Sequence, residues 1–146
     1  MRQRSVLTVL AVVVGLTACS KPPAEPTSDP QTSVTEARLD EEFNLRAGQT
    51  ANVGGNALTI AFRRVSGDSR CPMDAVCVWM GDAVVQLDVT VGRMAWTPTE
   101  LHTHLDPKRT SFREYSIDLV SLLPYPKSDL TIKPEDYVAR LRVARK

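Results

Sequence analysis

The chain has 146 residues, a length that accommodates one ordinary domain but not two. Hydrophobic residues make up 42% of it, enough for a packed core, so the composition excludes a wholly disordered protein. Lysine and arginine total 18 against 17 aspartates and glutamates, and this near-zero net charge of +1 argues against a protein that binds nucleic acid through phosphate contacts.

The first 18 residues have the features of an export signal. Arg2 and Arg4 form a positively charged start, and a nearly continuous apolar run follows over residues 5–16. This run is too short to span a membrane, which requires about 20 apolar residues. It has the length of the hydrophobic region of a signal peptide, so residues 1–18 are predicted to be removed from the mature protein.

The end of the signal resembles the lipobox of bacterial lipoproteins, because residues 16–19 read Leu-Thr-Ala-Cys. The resemblance implies that Cys19 receives a diacylglyceryl thioether and that a peptidase cuts after Ala18. Ser20 resembles the outer-membrane sorting signal of Gram-negative lipoproteins. The expected location is therefore the bacterial cell envelope, and in a Gram-negative cell the periplasmic face of the outer membrane. The alternative is an ordinary secretory signal in which Cys19 is incidental.

Residues 19–42 are predicted to form a disordered, proline-rich tether that begins at the lipidated cysteine. Residues 20–30 contain four of the ten prolines of the chain, and no large hydrophobic residue occurs between Cys19 and Val34. Such a segment cannot offset the entropy of ordering and favours extended polyproline II conformations. A short helical turn is expected within residues 34–42.

Residues 43–146 are predicted to form an all-β domain. Large apolar residues alternate with polar ones in several segments, a pattern typical of strands with one buried and one solvated face. Short strands separated by turn residues favour an antiparallel sandwich or a small barrel of about seven strands. The predicted strands are residues 43–46, 58–63, 85–91, 94–96, 115–119 and 137–143.

Two cysteines remain after Cys19 is assigned to lipid. In an oxidising compartment two spare cysteines usually pair, so Cys71 and Cys77 are predicted to form a disulfide bond. In one interpretation the disulfide fixes a long loop between two strands and Trp79 packs beneath it. In a second, the rigid loop presents a binding surface to a partner. The candidate residues of that surface are Asp68, Ser69, Arg70 and Trp79. A third, a redox or nucleophilic cysteine, is the least favoured because the spacing is not C-x-x-C.

The same segment resembles a motif of small secreted or lipid-anchored bacterial β-domains. The motif is Asp-Ser-Arg-Cys-Pro followed by Cys-x-Trp-x-Gly, which this chain has at residues 68–72 and 77–81. The resemblance covers about residues 43–143. That family has no assigned activity, so the resemblance implies only the fold and export.

A metal site is considered because His102 and His104 are two residues apart and would share one face of a strand. Asp106 continues the spacing and completes a set of ligands suited to Zn²⁺ or Cu²⁺. The polar residues that follow indicate a solvated loop, so no metal site and no cofactor is favoured. The sequence has no nucleophile elbow, HExxH motif, P-loop or dinucleotide fingerprint, so the protein is not expected to be an enzyme.

These observations predict a lipid-anchored envelope protein whose β-domain is a non-enzymatic binding, inhibitory or accessory module. Its expected partners are the membrane, through the lipid on Cys19, and a protein of the envelope; no nucleic-acid partner is expected. The alternative function is a periplasmic metal-handling protein that uses His102, His104 and Asp106. A small hydrolase is the least favoured function.

Overall fold

The computed structural model describes residues 34–146, and this part of the chain is built almost entirely of β-strands. The predicted signal peptide, Cys19 and the first part of the tether lie outside the described residues. No helix within residues 34–146 has the length and apolar character required to cross a membrane. The strands are β1 (Val34–Ala37), β2 (Glu42–Arg46), β3 (Thr50–Val53), β4 (Leu58–Asp68), β5 (Ala83–Val91), β6 (Thr97–His102), β7 (Arg109–Phe112), β8 (Tyr115–Leu123) and β9 (Val138–Arg145).

The nine strands form two sheets, which confirms the predicted all-β sandwich class. One sheet has five strands in the order β1-β3-β4-β5-β6, and the other has four in the order β2-β9-β8-β7. All neighbouring strands are antiparallel except β1 and β3, which are parallel. A single-turn 3₁₀ helix, Pro134–Asp136, leads into β9.

The hydrophobic core lies between the two sheets and follows the alternation that the sequence shows. In β5 the buried hydrophobic residues are Ala83, Val85, Leu87 and Val89, every second position of the strand. The four-stranded sheet contributes its own alternating set to the same core, including Ile117 of β8 and, from β9, Ala139, Leu141 and Val143. Period-two burial against a facing sheet is therefore the main stabilising feature of the domain.

The β-domain begins earlier than the sequence pattern indicates. The pattern places residues 34–42 in the tether with a helical turn, but Val34–Ala37 forms strand β1, so the expectation of a helical turn is wrong. Strand β1 pairs in parallel with β3, from Val34 opposite Thr50 to Ala37 opposite Val53. Its side chains are exposed or half-buried, because an edge strand is held mainly by backbone hydrogen bonds and needs little apolar surface.

The predicted return strand at residues 94–96 is also displaced. Residues 92–95 form a turn in which the amide of Met94 donates to the carbonyl of Val91, and the return strand is β6, Thr97–His102. Pro98 lies within β6, opposite Asp88 of β5. Proline is tolerated there because β6 is at the edge of its sheet, where one side of the backbone has no neighbouring strand.

Loops meet at one end of the sandwich, which we call the loop end. It carries the connections β4–β5 (residues 69–82), β6–β7 (residues 103–108) and β8–β9 (residues 124–137). The amide of Met73 donates to the carbonyl of Pro126, which joins the first connection to the third, and the amide of Thr103 donates to the carbonyl of Ala83 at the start of β5. The predicted disulfide segment therefore belongs to a group of mutually supporting loops.

Candidate functional site

The disulfide loop, residues 69–82, is closed by the predicted bond between Cys71 and Cys77, whose α-carbons are 6.0 Å apart. The prediction of this disulfide is confirmed. At the base of the loop the amide and hydroxyl of Ser69 donate to the carbonyl of Asp82 at 2.7 and 3.0 Å. The amide of Cys71 donates to the carbonyl of Met80 at 2.9 Å. The two arms of the loop are therefore joined along their whole lower part.

The side chain of Arg70 fastens the loop to the opposite sheet. Only 3% of this side chain is exposed, and its Nε and Nη2 donate to the two carboxylate oxygens of Asp68 at 2.8 and 2.6 Å. Its Nη1 donates to the carbonyl of Leu122 at 2.5 Å, and Nη2 also donates to the carbonyl of Pro124 at 2.9 Å. Arg70 thus joins the start of the loop to the end of β8.

Asp68 is stabilised as a carboxylate by this arrangement. Burial by itself would raise the pKa of Asp68, but the hydrogen bonds and charge of Arg70 outweigh burial and lower it. The hydroxyl of Tyr137 donates to Asp68 Oδ2 at 3.0 Å. Burial and the neighbouring negative charge of Asp68 raise the pKa of Tyr137 to about 12. Asp68 therefore stays ionised and Tyr137 stays protonated across the physiological range.

A second polar centre lies at Asp82, where β5 begins. Its Oδ1 accepts from the amides of His104 and Leu105 at 2.9 and 3.3 Å and from the hydroxyl of Thr103 at 3.1 Å. Its Oδ2 accepts from Nδ1 of His102 at 2.6 Å. Burial opposes the ionised form, but these hydrogen bonds hold the pKa of Asp82 well below its ordinary value. Asp82 therefore fastens the β6–β7 loop to the base of the disulfide loop.

The structure does not group the residues of the metal-ligand hypothesis, His102, His104 and Asp106, into a metal site. His102 is the last residue of β6, and His104 lies beyond it in the loop, so they do not share a strand face. His102 instead contacts Asp82, and Nδ1 of His104 lies 3.2 Å from the hydroxyl of Thr103. Within residues 34–146 no three histidine, cysteine or acidic side chains are grouped so that they could hold a metal ion.

The sequence-predicted binding residues do not form one surface. Asp68 and Arg70 direct their charged groups at each other, and Ser69 is engaged with the backbone of Asp82. Trp79 is 67% exposed, so the expectation that it packs beneath the disulfide is wrong. Of the four candidates, only Trp79 presents a large side chain to solvent.

An apolar surface that the sequence interpretation missed surrounds Trp79. We call it the apolar tip; it consists of Met73, Val76, Val78, Trp79 and Met80. Val76 and Val78 are 103% and 107% exposed, so their side chains project freely on either side of Cys77. A cleft of about 310 Å³ lies beside the tip and is lined in part by Met73, Met80 and Tyr125. In the sequence, the apolar tip is indicated by residues 75–80, an apolar run without alternation that lies between Cys71 and Gly81.

No family model matches the chain, and neither a curated protein nor a solved structure matches it. The resemblance of residues 68–81 to the motif of small exported β-domains stays a prediction. The assignment of a functional surface therefore depends on the geometry of the loop end.

The role of Asp82 can be tested by its pH dependence. The pKa of Asp82 is lower in the folded than in the unfolded chain, so its stabilising contribution is complete above the unfolded value and decreases as the pH falls below about 4. We expect Asp82→Asn to lower the free energy of unfolding at pH 7 by about 1–3 kcal/mol, because the anionic acceptor is lost. We also expect urea denaturation between about pH 4 and pH 2 to show a smaller loss of stability in the variant than in the wild type.

The control is Asp129→Asn, which makes the same change of charge at an exposed residue of another loop. It should leave both the stability at pH 7 and its acid dependence close to those of the wild type. An acid dependence in Asp82→Asn as steep as in the wild type would contradict the assigned role.

Proposed function

We propose that this protein is a lipid-anchored component of the bacterial cell envelope, and that its β-sandwich is a non-enzymatic binding module. The lipobox-like sequence at residues 16–19 and the proline-rich segment after it support the anchor. The contact surface of the module is the apolar tip of the disulfide loop.

The observation that carries the assignment of the surface is the exposure of the apolar tip on a rigid base. Exposed apolar patches of soluble domains commonly mark binding sites. Here the disulfide, the Arg70 brace and the hydrogen bonds of Asp82 hold the loop in one conformation before any partner arrives. A preorganised surface loses less conformational entropy on binding, which suits it to a contact function.

The anchor is tested by Cys19→Ser. We expect this variant to incorporate no labelled palmitate and to remain unprocessed or soluble, because serine provides no thiol for thioether formation. The measurement is metabolic labelling followed by membrane fractionation. The double variant Cys71→Ser/Cys77→Ser is the matched control, since it removes the other two cysteines and should incorporate label like the wild type. Label retained in Cys19→Ser, or absent from the wild type, would contradict the proposed anchor.

A further inference from the structure

The partner of the apolar tip is suggested by the shape and charge of the tip itself. Val76 and Val78 are fully exposed and Trp79 is two-thirds exposed, so the tip is a convex projection. A convex apolar projection fits a deformable apolar medium better than it fits a flat protein surface. The combination of aliphatic side chains with a tryptophan is also typical of segments that enter the interface of a lipid bilayer.

The charges around the tip point to a neutral lipid surface. Asp74 is the one charged residue between Cys71 and Gly81. Its carboxylate accepts hydrogen bonds from the amide and the hydroxyl of Ser128, which hold it against the neighbouring loop. The tip itself carries no cation, and the nearby Lys127 on the neighbouring loop is offset by the Asp74 carboxylate, so the attraction of the tip to a membrane is mainly hydrophobic.

The course of the chain places the start of β1 on the same side of the sheet as the disulfide loop. Strand β1 runs parallel to β3 and antiparallel to β4, and β4 leads up to the disulfide loop. The first residue of β1, Val34, is therefore the end of that strand nearer the loop end. From Ala61, level with Val34 across the sheet, the rest of β4 extends by about 23 Å to the start of the loop.

The tether is long enough to cover this distance. Residues 20–33 would span about 43 Å if they were extended as a polyproline II chain, and this length exceeds that of the sheet between Val34 and the disulfide loop. A lipid on Cys19 would thus leave the domain free to bring its loop end against the bilayer.

We infer that the apolar tip inserts into the same bilayer that holds the lipid of Cys19, so that the domain contacts the membrane at two points. This inference rests on the proposed lipid anchor. The lipid supplies attachment, and the tip fixes the orientation of the sandwich, with its loop end towards the lipid and the turns at residues 54–57 and 92–95 away from it. Insertion depends on apolar burial, so it should be insensitive to salt and should occur in phosphatidylcholine alone.

The two tryptophans of the chain allow a direct test, because Trp79 is in the tip and Trp96 follows the turn at the opposite end of the sandwich. The mature protein, isolated with its lipid, is reconstituted into phosphatidylcholine vesicles with brominated acyl chains. In Trp96→Phe, the remaining Trp79 should be quenched and its emission shifted to shorter wavelength. In Trp79→Phe, the remaining Trp96 should show neither effect.

A second pair of variants separates insertion from folding. Val76→Asp/Val78→Asp, made in the Trp96→Phe background, changes two fully exposed side chains and should remove the quenching of Trp79 while flotation with the vesicles is unchanged. Met94→Asp, at the opposite end and 45% exposed, should leave the quenching intact.

The outcomes distinguish this inference from the anchor. Flotation of the vesicle-bound protein with Trp79 quenched no more than Trp96 overturns insertion and leaves the anchor standing. Failure of the protein to float overturns both. Protection of Trp79 from acrylamide without quenching by brominated lipid would mean that the tip contacts a second copy of the chain, and would also overturn insertion.

Discussion

Replacing Arg70 by alanine is expected to lower the free energy of unfolding by about 3–5 kcal/mol, because it leaves a partly buried carboxylate without its cation. The variant would also remove the donors that satisfy the carbonyls of Leu122 and Pro124. Urea denaturation of the full chain, followed by circular dichroism, measures the loss. A loss below about 1 kcal/mol would contradict the role of Arg70 as the main brace of the loop end.

Two further variants test whether the loss of stability in Arg70→Ala results from the burial and geometry of the arginine. Arg63→Ala breaks an ion pair with Asp88 in which the arginine side chain is 59% exposed, and such pairs contribute only about 0–1 kcal/mol. Arg70→Lys keeps the charge, but a lysine cannot reach both oxygens of Asp68 and both carbonyls at once. We therefore expect Arg70→Lys to lower the free energy of unfolding by more than Arg63→Ala does and by less than Arg70→Ala does.

The strands that the sequence predicts best are those with long, regular alternation. In residues 85–91 every second side chain is a large aliphatic, and the structure buries Val85, Leu87 and Val89 as that pattern requires. Strands β1, β3 and β7 escape prediction because each has only four residues and none has large apolar residues at two alternate positions. Strand β6 escapes it because Pro98 argues against a strand unless its edge position is known.

The candidate site is predicted less completely than the fold. Pairing of Cys71 with Cys77 follows from cysteine count and compartment, which need no tertiary information. The burial of Arg70 depends on the carbonyls of Leu122 and Pro124, more than fifty residues along the chain, and no local pattern reports such a contact. The position of Trp79 likewise depends on how the loop folds over its base.

The disulfide alone does not account for the conformation of the loop. Its ring spans only residues 71–77, whereas the apolar tip continues to Met80 beyond it. The arms below the ring are held by the contacts of Ser69 with Asp82 and of Cys71 with Met80. These contacts require the two arms to approach closely, and residue 81 determines whether they can.

Gly81 is the residue at which this close approach is most demanding. It has a φ of +66°, in the left-handed region that disfavours a β-carbon. A β-carbon at this position would lie 2.6 Å from the carbonyl carbon of Ser69 and 3.0 Å from the α-carbon of Arg70. Because these are backbone atoms, no side-chain rotation can relieve the overlap, and the two arms would have to separate.

We expect Gly81→Ala to lower the free energy of unfolding by about 3 kcal/mol or more, since the backbone must shift and the hydrogen bonds between Ser69 and Asp82 are lost. Gly55→Ala is the matched control: Gly55 has a φ of +67°, but nothing lies within 4 Å of the position that a β-carbon would take there. Gly55→Ala should lower the free energy of unfolding only by the conformational strain, about 1–2 kcal/mol. Urea denaturation of both variants measures the difference. Equal losses would mean that backbone conformation, and not the approach to Ser69, accounts for glycine at position 81.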